Sequence, residues 1–221
     1  MIEYHKIQTV FLRDPKTNYK QLMEGVWSKP EFCYLSENMW LVDEKIDGTN
    51  IRVMWDGTKM RVGGKTDNAQ LQMDLVENIN TLFTSEKLAA QFGTALPEDI
   101  ADAKDLQVCL YGEGYGPGIQ KGGGNYRKDK GFILFDIKIG PLWLERQAVK
   151  DIALSLGLDV VPEIGVMSLN AAIDMVKKGF NSTFGDFKAE GIIARPMVEM
   201  KNRRGERVIT KLKHTDYEIQ G

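Results

Sequence analysis

The sequence predicts an α+β fold built on antiparallel β-sheets flanked by helices, and three observations carry that expectation. Strand-like runs outnumber helical ones and do not alternate with them in the regular β-α order of a parallel sheet. Ile51, Val53 and Trp55 recur with period two, which makes one face of that stretch apolar. Asp56-Gly57 then separates it from Lys59-Met60-Arg61-Val62, the punctuation of a hairpin.

Between Ile2 and Phe32 the signals are mixed, apart from a turn at Arg13-Asp14-Pro15. Trp40 to Val42 opens a strand that continues through Asp43 and Glu44 into Lys45, and Asn50 to Trp55 returns from it. Leu71, Leu75, Ile79 and Leu82-Phe83 give residues 67–92 a helix-compatible spacing. Residues 94–104 read as a surface loop, and Leu106 to Tyr111 as a short strand ending at Gly112-Glu113. A glycine-rich run follows to Tyr126, and Gly131 to Ile139 is another strand. Leu144, Ala148, Val149, Ile152 and Leu156 share one helical face, closed by Gly157. Ser168 caps a second helix, with Leu169, Ile173 and Val176 inside and Gly179 after it. Ala189 to Arg195 and Arg207 to Lys213 are the last strands.

Composition narrows the class. With 221 residues, 43% hydrophobic and 27% charged, the chain suits one globular domain with a substantial core. A net charge of -2 gives no global attraction to polyanions, so any such site must be a local cluster of basic residues. Cys33 and Cys109 are too few for a disulfide framework, and the N-terminus does not read as a signal peptide. No apolar run approaches the ~18 residues of a membrane span, so the expectation is a cytoplasmic protein with no membrane partner.

The stretch most charged with chemistry is Glu44-Lys45-Ile46-Asp47-Gly48-Thr49-Asn50. Removing an ammonium from water is expensive, so a lysine entering a half-buried strand favours the neutral, nucleophilic amine. Gly48 would let the backbone turn close to whatever the lysine attacks. Taken alone, Lys-x-Asp-Gly is more often a solvated hairpin end than a reactive site. Lys211 and Lys213 alternate onto one strand face, where two ammonium groups repel unless an anion lies between them. Glu113 and Glu190 stand at the ends of apolar strands, as surface acids or as ligands of a metal. The glycine-rich run carries no Gly-x-Gly-x-x-Gly. Gly63-Gly64-Lys65-Thr66 lacks the first glycine of a P-loop, whose place Lys59 takes. Lys121, Arg127, Lys128 and Lys130 make the run a basic loop, either solvated or tracking a nucleic-acid backbone.

Five stretches in order now carry a resemblance: Lys45 to Asn50, Gly112-Glu113-Gly114, Phe135-Asp136-Ile137, Glu190 to Arg195, and Lys211-Leu212-Lys213. Together they resemble the collinear motifs of covalent nucleotidyltransferases, the polynucleotide ligases and mRNA capping enzymes. Lys45 to Asn50 is most similar to the RNA ligase 2-like branch of ATP-dependent RNA ligases. The resemblance implies an ATP-grasp-like ligase catalytic domain that uses ATP with Mg2+ or Mn2+. It makes Lys45 the residue that carries AMP, with Lys211 and Lys213 holding the α-phosphate and orienting pyrophosphate. It places Glu113 by the ribose and a metal-bound water, Glu190 at the metal, and Phe135 on the purine, where a core phenylalanine is the other reading. Glu44, Ile46, Asn50 and Lys65 complete the implied nucleotide contacts, Lys65 standing where that branch has arginine.

The implied partners are RNA ends or a nicked duplex. The chain ends soon after Lys213, so the expectation is a single domain over 1–221 with no OB or C-terminal helical domain. Lys65, Arg127, Lys128, Lys130, Arg203 and Arg204 would then supply the RNA contacts, weakly and with strong salt dependence. A minimal DNA ligase, a capping-type guanylyltransferase and a non-catalytic RNA-end-binding module are the alternatives. The intact set of Lys45, Glu113, Glu190, Lys211 and Lys213 speaks against the last.

Overall fold

The computed structural model describes residues 3–94 and 107–217; the loop expected at 94–104 lies, beyond Thr94, outside the described residues, as does Leu106. The strands in chain order begin with β1 (Gln8–Thr9), β2 (Phe11–Arg13), β3 (Leu22–Trp27), β4 (Met39–Lys45), β5 (Thr49–Trp55) and β6 (Met60–Gly63). They continue with β7 (Val108–Tyr115), β8 (Gly131–Ile139), β9 (Leu142–Trp143), β10 (Asp159–Val160), β11 (Glu163–Ser168), β12 (Gly191–Pro196) and β13 (Thr210–Lys213). The helices are α1 (Pro30–Tyr34), α2 (Met73–Leu82), α3 (Ser85–Phe92), α4 (Arg146–Leu156) and α5 (Leu169–Lys178). The α+β class is the one expected, and the pairings are antiparallel except where the two-residue strands β1 and β10 join β13 and β8. Among the described residues no helix is long and apolar enough to cross a membrane. Contacts divide the chain into two compact units, one running up to Tyr4 and over Asp47–Val161, the other over His5–Ile46 and from Pro162 onward.

In the first unit β10-β8-β7-β5-β6 form one sheet, with β9 on the free part of β8. Period-two alternation sends Ile51, Val53 and Trp55 of β5 to the same side as Leu110, Leu134 and Ile137. Leu75 and Ile79 of α2, Leu88 of α3 and Val149, Ala153 and Leu156 of α4 cover that side. The helical stretch expected over 67–92 is two helices. Thr84 interrupts it by accepting the Lys87 N–H on its hydroxyl at 3.3 Å and capping α3. Strand β7 does not end at Gly112-Glu113 but runs on to Tyr115. Gly112 and Gly114 face the core, where a side chain would collide with the Phe132 ring and with Leu75, so glycine here sustains the strand instead of stopping it.

In the second unit the sheet order is β1-β13-β12-β4-β11, and β2 pairs with β3 apart from it. Trp40 and Val42 of β4, Ile192 and Ala194 of β12 and Leu212 of β13 pack against Leu169, Ala172, Ile173 and Val176 of α5. That helix begins as expected, with Ser168 Oγ accepting the Ala171 N–H at 3.2 Å. The expected turn at Arg13-Asp14-Pro15 is a short 3-10 turn capped by the Asp14 carboxylate, which accepts from the Lys16 N–H at 2.8 Å.

Candidate active site

In the second unit, the strand registers bring Lys45, Gly191 and Lys213 side by side across β4, β12 and β13, with Asp43, Ile193 and Lys211 in the next row. Directly opposed residues share a face, so the three lysines project from one side of the sheet while Val42, Ile192 and Leu212 enter the core. Gly191 in the middle has no room for a side chain, since a Cβ would come within 2.8 Å of the Lys213 Cα. Nothing from β12 therefore separates the two outer lysines. Glu190, one residue before the strand, fills the gap. Its Oε2 accepts from Lys45 Nζ at 2.5 Å and its Oε1 lies 2.6 Å from Lys213 Nζ. The carboxylate side chain is 13% exposed and the lysines 21% and 34%, so the pairs are partly desolvated and less screened than fully exposed ones.

Lys211 has no ion pair among the described residues. Its burial, then the charges of Lys213, Lys45 and Arg13, pull its pKa below the usual lysine value. Arg13 is itself held by Asp216 through bonds of 2.8 and 2.9 Å. A lysine whose folded pKa is depressed destabilises the fold while it is charged, and this penalty is relieved as pH climbs towards the unfolded value of 10.5. Replacing Lys211 with methionine is accordingly expected to raise, or at least preserve, the melting temperature at neutral pH. Melting both proteins from neutral pH upward checks the sign, since the wild type should gain on the variant as Lys211 deprotonates.

Glu44 belongs to the other side. Glu44 is buried, and its carboxylate accepts from Ser182 Oγ at 2.5 Å and from the Thr183 N–H and Oγ1 at 2.9 and 2.7 Å. Alternation on β4 turns it away from Lys45, so its side chain secures the strand end and is not presented with the lysines. Glu44→Ala is expected to cost about 2 kcal/mol of stability by leaving these donors without their acceptor, measurable by denaturant unfolding. Ile46 is buried as well.

The remaining expected residues lie in the first unit. Asn50 and Glu113 are directly opposed on β5 and β7, on the sheet face away from the main core. The Asn50 Oδ1 is buried without a hydrogen-bond partner, an acceptor open to a ligand donor. Phe135 occupies a register shift between β7 and β8, half-buried beside Tyr111 and Trp143, with Tyr4 meeting it edge-on at 5.1 Å. It lies outside the main core, packed against this smaller cluster. Lys65 is exposed just past β6. Of the cations expected to reach RNA, Arg127 is engaged by Asp129 and Lys130 by Asp74, while Lys128, Arg203 and Arg204 are exposed.

Two features escaped sequence reasoning. Arg52 is fully buried, donating from Nε to the Gly64 carbonyl at 2.6 Å and from Nη2 to Asp67 at 3.0 Å, beneath the loop that carries Lys65. Tyr4 donates its hydroxyl to Asp136 at 2.6 Å. Alternation shows Arg52 to share a face with Asn50, but a charged residue in such a strand reads as solvent-facing. Burial pushes the Cys109 thiol beside it up to about 11, which leaves it an inert core residue. Among the described residues no group of three or more His, Cys, Asp or Glu could cage a metal. A hard cation held by one carboxylate, with ligand oxygens and water completing the shell, is the arrangement such a residue set can offer.

Across neighbouring strands of one sheet, two lysines pair with a single glutamate and a third lysine shares their face, a concentration of charge that suits a phosphorylated ligand. The chain belongs to the RNA ligase family, whose model matches residues 38–213. Among solved structures it is similar to the RNA ligase of Naegleria gruberi. An apo point mutant superimposes with a TM-score of 0.68 at 16% identity, over 98% of this chain and 56% of that one. A mutant with AMP and Mn gives 0.67 at 15% identity, and the ligase with PPi 0.66 at 17%, each over 96% of this chain and 56% of the other. The likeness at such identities is one of fold, and this chain spans about 56% of the length of those ligases. No curated protein matches the sequence.

Proposed function

We propose that the protein is an ATP-dependent RNA ligase that works through a lysyl-AMP intermediate on Lys45. The observation that carries the reading is the Glu190 carboxylate between Lys45 and Lys213, on a sheet face that also bears Lys211, which has no ion pair among the described residues. In the first step Lys45, once its ammonium has lost a proton, attacks the α-phosphorus of ATP. The new P–N bond forms as the bond to the β-phosphate oxygen breaks, and pyrophosphate leaves. Lys211 and Lys213 are placed to neutralise the negative charge that spreads over the transferring group. The AMP then passes to the 5′-phosphate of an RNA end, and a 3′-OH displaces it to form the phosphodiester.

Glu190 is the residue of this face that would hold Mg2+ or Mn2+, and the metal would supply charge stabilisation to the phosphates. Were Glu190 to hold the metal, its carboxylate would no longer be committed to the Lys45 ion pair seen in this structure. In the first unit the Asn50–Glu113 pair, with its open Oδ1, suits ribose hydroxyls, and Phe135 offers a ring to the base. That the Naegleria gruberi ligase is solved with AMP and Mn and with PPi supports the same ligand chemistry here.

Nicked duplexes and broken RNA ends are the proposed substrates, with discrimination against DNA through the 2′-OH near the 3′ end. Sealing of matched substrates that differ only in their terminal sugars, across a salt series, tests this. RNA 3′-OH ends should be preferred and sealing should fall steeply with salt. Equal sealing of all-DNA nicks would make the protein a DNA ligase, and adenylylation without sealing would point to another AMP acceptor.

A further inference from the structure

The glycine-rich stretch of the first unit is a built loop. Hydrogen bonds from the Gly123 N–H to Gln120 O at 3.0 Å, Asn125 N–H to Gly122 O at 3.0 Å and Tyr126 N–H to Gly123 O at 3.2 Å wind it into consecutive tight turns. Gly123 lies so close to the Gly116 backbone that no side chain would fit. Gln72, at the head of α2, ties the loop down by donating to the Gly118 carbonyl at 3.0 Å. Tyr126 is buried at its end, edge-on to Tyr115 at 6.1 Å, and the Arg127 guanidinium lies 5.2 Å from the centre of the Tyr115 ring.

Two side chains of this loop return to the Asp47-Gly48 dipeptide. Gln120 Nε2 donates to the Gly48 carbonyl at 3.0 Å, and the Asp47 N–H donates to the Tyr126 hydroxyl at 3.3 Å. On its other side Gly48 rests on β7, where an added Cβ would meet the Gly114 carbonyl and the Glu113 Cγ. Asp47-Gly48 lies between the end of β4 at Lys45 and the start of β5 at Thr49, outside both strands.

We propose that Gln120 and Tyr126 are positioning residues for the lysine nucleophile. They grip the chain two and three residues beyond Lys45 and so restrict the backbone states from which its Nζ can be presented to a phosphate. The inference rests on Lys45 being the adenylylated residue. A free link would lose its conformational freedom on every turnover, and misplacement by about 1 Å can slow an attack ~10²-fold. Because the grip acts on presentation and not on holding the nucleotide, its loss lowers the rate from the bound complex and leaves half-saturation by ATP alone.

The test is single-turnover adduct formation with α-labelled ATP in the full chain, comparing wild type with Tyr126→Phe, Gln120→Ala and the pair. Tyr126→Phe keeps the buried ring, so the hydroxyl alone is probed. Each single variant should form the adduct about tenfold more slowly at saturating ATP, with half-saturation unchanged. The Asp47 amide should exchange faster in Tyr126→Phe, while the amides of β7 keep their protection. Unchanged rates in both variants, beside a wild type that labels Lys45, would overturn the inference and leave the ligase reading standing. Raised half-saturation at an unchanged rate would also overturn it, by making these residues nucleotide contacts. A wild type that forms no adduct would overturn the ligase reading, and the inference with it.

Discussion

Replacing Lys45 with alanine is expected to abolish covalent transfer of nucleotide to the protein while leaving it folded. The lysine stands at the last position of β4, partly exposed, on the sheet face opposite the one that Val42 sends into the core. Its removal does not strand Glu190, which keeps Lys213 at 2.6 Å, so no carboxylate is left buried without a cation. Activity should therefore vanish with little change in melting temperature. Circular dichroism and a denaturing gel after incubation with labelled ATP separate the two effects, and acid-labile AMP persisting on the variant would remove Lys45 from its role.

Glu190→Ala is expected to lower adduct formation at least ~10²-fold, and to unsettle the fold in a way that Lys45→Ala does not. Without the acid, Lys45 and Lys213 face one another and Lys211 with nothing between them. Two like charges ~4 Å apart repel by about 1 kcal/mol in bulk water and by more where water is partly excluded. The melting temperature should fall at low ionic strength, and added pyrophosphate should restore more in the variant than in the wild type. Glu190→Gln keeps an acceptor for one lysine but not the charge, so it should share the loss of activity. Near wild-type adenylylation in both variants would return Glu190 to a structural part.

What could be read from the sequence follows physical lines. Strands β4, β5, β6 and β8 and helices α4 and α5 were legible because each is long enough to show its period, and Gly157 and Ser168 mark the helix ends. Strands β1, β2, β9 and β10 have two or three residues, less than any period can show, and β11 is broken by a register shift near Gly165. Two expectations needed revision: β7 passes through Gly112 and Gly114, and the 67–92 stretch is two helices.

The pairing of Lys211 with Lys213 on one face followed from alternation alone. The same alternation turns Glu44 away from Lys45, although the two are neighbours in the sequence. Glu190 bridging two lysines and the burial of Arg52 arise from contacts between residues far apart in the chain, which no local pattern carries. The glycine-rich run looked like a free loop because glycines leave no trace of which backbone they let come close.

Incubation with each α-labelled nucleoside triphosphate and a divalent metal, followed by mapping of the labelled peptide, tests the central claim most directly. The account predicts label from ATP alone, on the peptide that contains Lys45. Label from GTP, or on a peptide without Lys45, would contradict it.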